Sequence, residues 1–136
     1  MQKAPLYSSI TIIILLPLLV FILNVVFILV LGLKVIDEYW IDKVLHLAGG
    51  ASIYLSAAGV VWHLERLEII LIQDVTVLRV LVFGCVCFTV ISWEILEYFF
   101  AFAPEYLTYA DTITDMISGL VGGSLGVLLL RRAAVH

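Results

Sequence analysis

The sequence predicts an all-α fold, an integral membrane bundle of about four transmembrane helices with both termini in the cytoplasm. Of the 136 residues, 64% are hydrophobic and only 13% are charged, and the apolar residues fall into four long runs. A soluble domain carries about 25% charged residues, and about 20 consecutive apolar residues suffice to cross a bilayer as a helix. We therefore expect one transmembrane domain, residues 1–136, located in the plasma membrane.

Residues 7–36 form the first predicted span. The run is too long for the apolar part of a signal peptide, and no small-residue cleavage site follows it. Pro17 can kink such a helix. Asn24 is the one strongly polar residue in its interior, and we expect it to hydrogen bond between helices. We assign Asn24 no chemistry.

The three remaining spans are predicted at residues 42–64, 75–102 and 111–130. The second of them is rich in small residues, which allow helices to approach closely. Residues 65–74 interrupt the apolar pattern with several charges and are predicted to form a loop. The spans account for most of the chain, so no second domain or long linker is predicted.

Basic residues are divided unevenly between the two ends of the predicted bundle. The side that holds both termini would carry Lys3, Arg66, Arg79, Arg131 and Arg132. The opposite side would carry Lys34 and Lys43. Because basic residues concentrate in cytoplasmic loops, both termini are predicted to be cytoplasmic. Most of the acidic residues then fall toward the outer side.

Three of the predicted spans carry a polar pair near the outer end, each pair spaced to share one helix face. The pairs are Asp42 with His46, Glu94 with Glu97, and Asp111 with Asp115. Glu94 lies about seven residues inside its span, or roughly 10 Å of helix. An ionised side chain at that depth costs about 2.5–3.5 kcal/mol. We therefore predict that the pairs converge on a polar site, with His46, Glu94, Glu97 and Asp115 around one point.

A histidine among carboxylates is a mixed nitrogen and oxygen ligand set that suits Zn, Mn or Fe, or Mg where carboxylates dominate. The predicted metal ligands are His46, Glu94, Glu97, Asp111 and Asp115. Asp42 is predicted to orient them. Shared protons or a water-filled cleft would also relieve the repulsion between carboxylates. Asp42 and Asp111 begin predicted helices, so a role as N-caps or first-turn acids stays open for both.

These motifs resemble the VanZ-like and YjdF-like family of small multi-pass membrane proteins. The resemblance covers the last three spans, about two-thirds of the chain, and rests on Asp42-Lys43-x-x-His46, Glu94-x-x-Glu97 and Asp111-Thr112-x-x-Asp115-x-x-x-Gly119. It implies a helical membrane fold and a link to the cell envelope. Glu97 and Asp115 stand where other branches carry glutamine and asparagine, so the site is more acidic here.

Two functions follow as hypotheses. The first is a metal-assisted enzyme that acts on a membrane lipid or lipid-linked envelope substrate, with His46, Glu94, Glu97 and Asp115 as catalytic residues. Metal-free phosphate chemistry is disfavoured because Lys43 is the one basic residue expected nearby.

The second hypothesis is a non-enzymatic accessory or assembly subunit, whose carboxylates bind a cation or the basic residue of a partner. The partner would be another membrane protein or a second copy of the chain. Gly119, Gly122 and Gly126 continue the helix face of Asp115 and predict close packing, either within the bundle or in a dimer. No nucleic acid partner is expected.

Overall fold

The computed structural model describes residues 10–32, 40–100 and 108–133. Those residues form four α-helices and no strand. The helices are α1 (Ile10–Leu31), α2 (Ile41–Arg66), α3 (Val75–Phe100) and α4 (Tyr109–Ala133). The all-α prediction is therefore confirmed for the described part of the chain.

The observed helices coincide with the four predicted spans. The bounds of α2, α3 and α4 fall within three residues of the predictions. Helix α1 ends at Leu31, inside the first predicted span, and Gly32 adopts a left-handed backbone conformation (φ 79°). Glycine adopts this conformation at low cost and commonly terminates helices. The predicted residues 7–9, 33–36 and 101–102 lie outside the described residues.

Side-chain caps define where α3 and α4 begin. Asp74 Oδ1 accepts a hydrogen bond of 2.6 Å from the backbone N–H of Thr76, which caps α3. This hydrogen bond holds the pKa of Asp74 below its usual range. Thr108 Oγ1 accepts a 3.1 Å bond from the backbone N–H of Asp111 and caps α4 in the same way. Asp111 is thus a first-turn acid rather than an N-cap, and Asp42 likewise lies in the first turn of α2, after Trp40.

Helix α2 is the central element, since it packs against α1, α3 and α4, and α4 also packs on α3. The closest approach is between α2 and α4. A Cβ atom on Gly50 would collide with the backbone carbonyl of Gly119, and one on Gly122 would collide with the carbonyl of Leu47. Gly126 faces the ring of Tyr54 in the same interface. The glycine stripe of α4 therefore packs inside the bundle, which was one of its two predicted roles.

The bundle buries two carboxylates and exposes many large apolar side chains, which is unusual for a water-soluble protein. Glu94 and Asp115 are buried, with 7% and 3% of their surface exposed. Large apolar side chains such as Phe88 and Phe99 are exposed instead. Contiguous exposed apolar surface marks contact with lipid or with other proteins. In the part of the chain that the structure describes, two helical segments, Ile41–Arg66 and Val75–Phe99, are long and apolar enough to cross a membrane.

Candidate metal site

The predicted polar pairs meet at one end of the bundle. The start of α2, the end of α3 and the start of α4 lie together there, because α3 runs opposite to the other two helices. We call the side chains gathered at this end the acidic cluster. Its members are Asp42, Lys43, His46, Glu94, Glu97, Asp111 and Asp115. Each sequence-predicted site residue belongs to it.

Lys43 is the internal cation of one half of the acidic cluster. Its Nζ lies 2.5 Å from Asp111 Oδ1, 2.6 Å from Asp115 Oδ1 and 3.3 Å from Asp42 Oδ2. The ammonium group thereby joins α2 to the first turns of α4. Hydrogen bonds between charged groups are about twice as strong as neutral ones. We call Lys43 with these three aspartates the Lys43 half.

His46 separates the two halves of the cluster, because carboxylates face both edges of its ring. Its Nε2 lies 3.5 Å from Asp42 Oδ1 and 3.9 Å from Asp115 Oδ1. Its Nδ1 lies 3.7 Å from Glu94 Oε1. A separation of 3.7 Å is too long for a hydrogen bond. Glu94 Oε1 is nevertheless buried, and it accepts no hydrogen bond from any described residue.

Two overlapping sets of ligand atoms have metal-binding spacing, and both include His46. One is Asp42, His46 and Asp115, and the other is His46, Glu94 and Glu97; within each set the ligand atoms lie within 4.8 Å of one another. With metal–ligand bonds of about 2.1 Å, the ligand atoms of a tetrahedral site lie about 3.4 Å apart. The predicted convergence is therefore found as two sets that share His46, not as a single point.

Charge distinguishes the two sets. A divalent cation bound by Asp42 and Asp115 would lie close to the Lys43 ammonium, which is 2.6 Å from Asp115 Oδ1 and 3.3 Å from Asp42 Oδ2. For a separation of about 4 Å and an effective dielectric constant of about 20, the repulsion is of the order of 8 kcal/mol. Among the described residues, no lysine or arginine lies within ion-pair distance of Glu94 or Glu97. We call His46, Glu94 and Glu97 the Glu94 half, and this half is the better cation site.

The predicted ligand set changes accordingly. Asp111 and Asp115 were predicted as metal ligands, but both are ion-paired to Lys43. Asp42 was predicted to orient the ligands, and it does face the Nε2 edge of His46. A carboxylate behind a ligating histidine fixes which ring nitrogen binds the metal. The geometry thus separates a carboxylate that faces His46 Nε2, carboxylates that pair with Lys43, and the two glutamates that have no lysine or arginine partner among the described residues.

Lys43 is the cluster residue whose role the sequence reasoning missed. As the one basic residue expected near the site, it is predicted from the sequence as at most a phosphate clamp, not as the counter-ion of three aspartates. The available signal was its position inside a predicted span, between Asp42 and His46. A lysine that begins a membrane helix beside carboxylates is expected to pair with them.

No family model matches the chain, and neither the curated proteins nor the solved structures provide a match. Over its described residues the chain is all-helical, with two helices apolar enough to span a membrane and an Asp/His/Glu cluster with metal-ligand spacing. Membership of the VanZ-like and YjdF-like family stays a prediction.

Proposed function

We propose that the protein is a multi-pass plasma membrane protein that binds one divalent metal ion between His46, Glu94 and Glu97. In this proposal all four helices span the bilayer, both termini are cytoplasmic, and the acidic cluster lies at the outer side. The exposed apolar side chains of α1 and α3 would then contact lipid. A mixed nitrogen and oxygen ligand set favours Zn, Mn or Fe over Mg.

The observation that carries the proposal is the unpaired oxygen of Glu94. This atom is buried, accepts no hydrogen bond from the described residues and faces His46 Nδ1 at 3.7 Å. An unsatisfied buried acceptor costs about 1–3 kcal/mol, and more when it is charged. The separation is close to that of two ligands of the same tetrahedral metal ion. A cation bonded to both atoms would remove the cost.

The other carboxylates support this placement of the ion. Asp42 faces Nε2, so it would accept a hydrogen bond from Nε2–H and leave the Nδ1 lone pair for the metal. Asp111 and Asp115 pair with Lys43 and hold α2 against α4. The three ligand side chains come from α2 and α3, both of which are regular helices at this end. Sites built on helices hold their geometry better than sites on loops.

The reaction class we propose is metal-assisted chemistry on a membrane lipid or lipid-linked envelope substrate. A divalent ion at this site would supply a Lewis acid and an activated water molecule. His46 and Glu97 lie about one helical turn, roughly 5–6 Å, inside the predicted spans. At that depth the site would meet the headgroup region of the outer leaflet. The resemblance to the VanZ-like and YjdF-like family agrees with an envelope substrate.

Lys43 supports a second candidate function. Its ammonium group contacts three aspartates, so an amine can serve as the counter-ion of this cluster. A lysine or arginine from another membrane protein, or from a second copy of this chain, could pair with Glu94 and Glu97 in the same manner. The protein would then be an accessory or assembly subunit without a reaction of its own.

Elemental analysis separates the two functions. Wild-type protein would be purified in mild detergent without a chelator, beside Glu94→Gln and a matched Glu68→Gln control on the exposed turn after α2. The metal proposal expects near-stoichiometric Zn, Mn or Fe in the wild type and the control, and loss of the metal in Glu94→Gln.

Absence of metal from all three proteins would contradict the metal proposal. The accessory function then expects a co-purifying membrane protein, or a dimer, that Glu94→Gln dissociates while Glu68→Gln does not.

A further inference from the structure

A cavity of about 120 Å³ lies between α1, α2 and α3, directly beside the acidic cluster. Gly49 of α2 forms part of its floor, and Val20 of α1 and Val90 of α3 form part of its walls. His46 lines the cavity as well as the Glu94 half. The cavity therefore leads to the candidate metal site without belonging to it.

The cavity has a polar end and an apolar end. In the proposed bundle α1 runs antiparallel to α2, and Val20 lies opposite Gly49. This direction puts Asn24 at the level of His46 and Pro17 at the level of Ile53. The two ends are separated by about 10 Å, since seven helical residues lie between Pro17 and Asn24.

Asn24 contributes an unpaired acceptor to the polar end. Its Oδ1 is buried and accepts no hydrogen bond from the described residues. The sequence predicted that Asn24 would hydrogen bond between helices, but no such bond to Oδ1 is present in the described part of the chain. An acceptor of this kind is satisfied by an O–H or N–H donor from outside the protein.

The surroundings of the cavity restrict what can enter it. Leu18 and Ile22, which follow cavity-lining residues along α1, are exposed and apolar. The ring of Phe21, which lines the cavity, contacts the ring of Trp93 edge to face, with 5.7 Å between the ring centroids. An apolar cavity of roughly 150 Å³ accepts a molecule the size of benzene and stays dry. The volume here admits a short length of hydrocarbon, and the mostly apolar lining does not suit a sugar or phosphate headgroup. In the bilayer, lipid chains are the apolar groups that reach such a surface.

We infer that this cavity binds one hydrocarbon chain of a lipid whose polar linkage donates a hydrogen bond to Asn24 Oδ1. The ligand class is a lipid with an O–H or N–H group next to the chain, such as a long-chain alcohol or amide. Bound in this orientation, the lipid has its polar end beside His46 and its chain directed toward Pro17 and Ile53. The inference deepens the proposed function, on whose membrane location it rests, by specifying the lipid that the site receives.

Photolabelling tests the inference. The probe is a long-chain alcohol with a diazirine in the chain and a terminal alkyne, added to purified protein in detergent micelles. Gly49→Leu fills the cavity, and a Cβ atom there meets only Val20 Cγ1, at 3.9 Å. Gly84→Leu is the matched control, since no atom of the described residues lies within 4 Å of its Cβ position.

Wild type and Gly84→Leu are expected to be labelled on α1 and α3 beside the cavity, and excess unlabelled alcohol should compete. Gly49→Leu is expected to reduce that labelling about tenfold, since the leucine side chain occupies the space in which the hydrocarbon chain would be buried. Asn24→Leu is expected to reduce labelling by the alcohol but not by the matching alkane, which has no donor. Equal labelling of wild type and Gly49→Leu, or labelling confined to the outer faces around Phe88 and Phe99, would overturn the inference.

Metal content measured on the same samples keeps the two proposals separate. Gly49→Leu leaves His46, Glu94 and Glu97 unchanged, so it is expected to retain metal while it loses the label. Labelled protein without metal would contradict the metal proposal alone. Metal-containing protein without cavity labelling would contradict the lipid inference alone.

Discussion

The two halves of the acidic cluster contain the same kinds of acidic side chain but differ in how their charge is balanced. In the Lys43 half, three aspartates lie within 3.3 Å of one ammonium group. In the Glu94 half, a buried carboxylate oxygen lies 3.7 Å from a histidine nitrogen and accepts no hydrogen bond among the described residues. The first half contains an internal cation, whereas the second has no lysine or arginine partner among the described residues and is the half in which we propose that a metal ion binds.

This difference shows why acidic residues alone do not identify a ligand set. Asp115 is more deeply buried than Glu94, so burial by itself would rank it as the better functional candidate. Its contact with Lys43 reverses that ranking. The presence or absence of an internal counter-ion separates carboxylates that join helices from carboxylates that bind a ligand.

The largest expected effect is from removing the internal cation. Lys43→Met leaves three aspartates without their counter-ion, and a broken buried ion pair costs about 3–5 kcal/mol. Unfolding in mixed micelles with rising denaturant measures the loss. The double variant Lys43→Met/Asp111→Asn is the control and should recover part of the stability, because one unpaired charge is gone. If Lys43→Met were as stable as the wild type, the two halves would not differ as described.

A packing variant should weaken the Lys43 half while it spares the Glu94 half. Gly50→Ala puts a methyl group against the backbone of Gly119 and pushes α2 from α4. Overpacking of this kind costs up to about 3 kcal/mol. Gly49→Ala is the matched control, since its methyl group makes only an ordinary contact. The thermal unfolding midpoint of Gly50→Ala should be lower than that of Gly49→Ala. Equal midpoints would contradict the close approach of the two backbones.

Metal affinity should depend on Asp42 more than on Asp111. Asp42 faces the Nε2 edge of His46, and loss of such an orienting carboxylate lowers metal affinity about 10–100-fold. Asp42→Asn should therefore weaken Zn²⁺ binding by that factor in competition with a chromogenic chelator. Asp111→Asn should change the affinity much less, because Asp111 pairs with Lys43. A larger loss of affinity in Asp111→Asn than in Asp42→Asn would indicate that the metal binds in the Lys43 half.

The smallest expected effect is at Asp74, which is an acid outside the cluster. The N–H of Thr76 lowers the pKa of Asp74 below its ordinary value of 3.8, so the carboxylate form stabilises the start of α3. This stabilisation is fully present at pH values above the ordinary pKa of 3.8, and it is lost as the pH falls through the lowered pKa of Asp74. Asp74→Ala should reduce the unfolding midpoint slightly at pH 7 and have no effect at the most acidic pH. An effect that persists at acidic pH would show a role other than capping.

The general location of the site could be predicted from the sequence because each polar pair has helical spacing. Glu94 and Glu97 share a face, as do Asp111 and Asp115, and a carboxylate inside an apolar run costs too much to be incidental. The helices themselves were predictable from the length of the apolar runs. The end of α1 was not predictable in this way, because a single left-handed glycine, Gly32, follows the last residue of the helix within an apolar stretch of the sequence.

The division of the cluster into two halves could not be predicted. It depends on which edge of the His46 ring each carboxylate faces, and spacing along one helix does not determine contacts between helices. Those contacts follow from the close crossing of α2 and α4 at Gly50 and Gly119, which brings Lys43 onto α4. A sequence pattern shows which residues share a face of one helix, whereas the crossing of two helices determines which side chains of the other helix they contact.

Anomalous X-ray diffraction from crystals grown with Zn²⁺ tests the central claim most directly. The account predicts one strong peak about 2.0–2.2 Å from His46 Nδ1 and from carboxylate oxygens of Glu94 and Glu97. Lys43 should keep its contacts with Asp111 and Asp115 in the same crystals. A peak on the Nε2 edge, between Asp42 and Asp115 with the Lys43 ammonium displaced, would contradict the account.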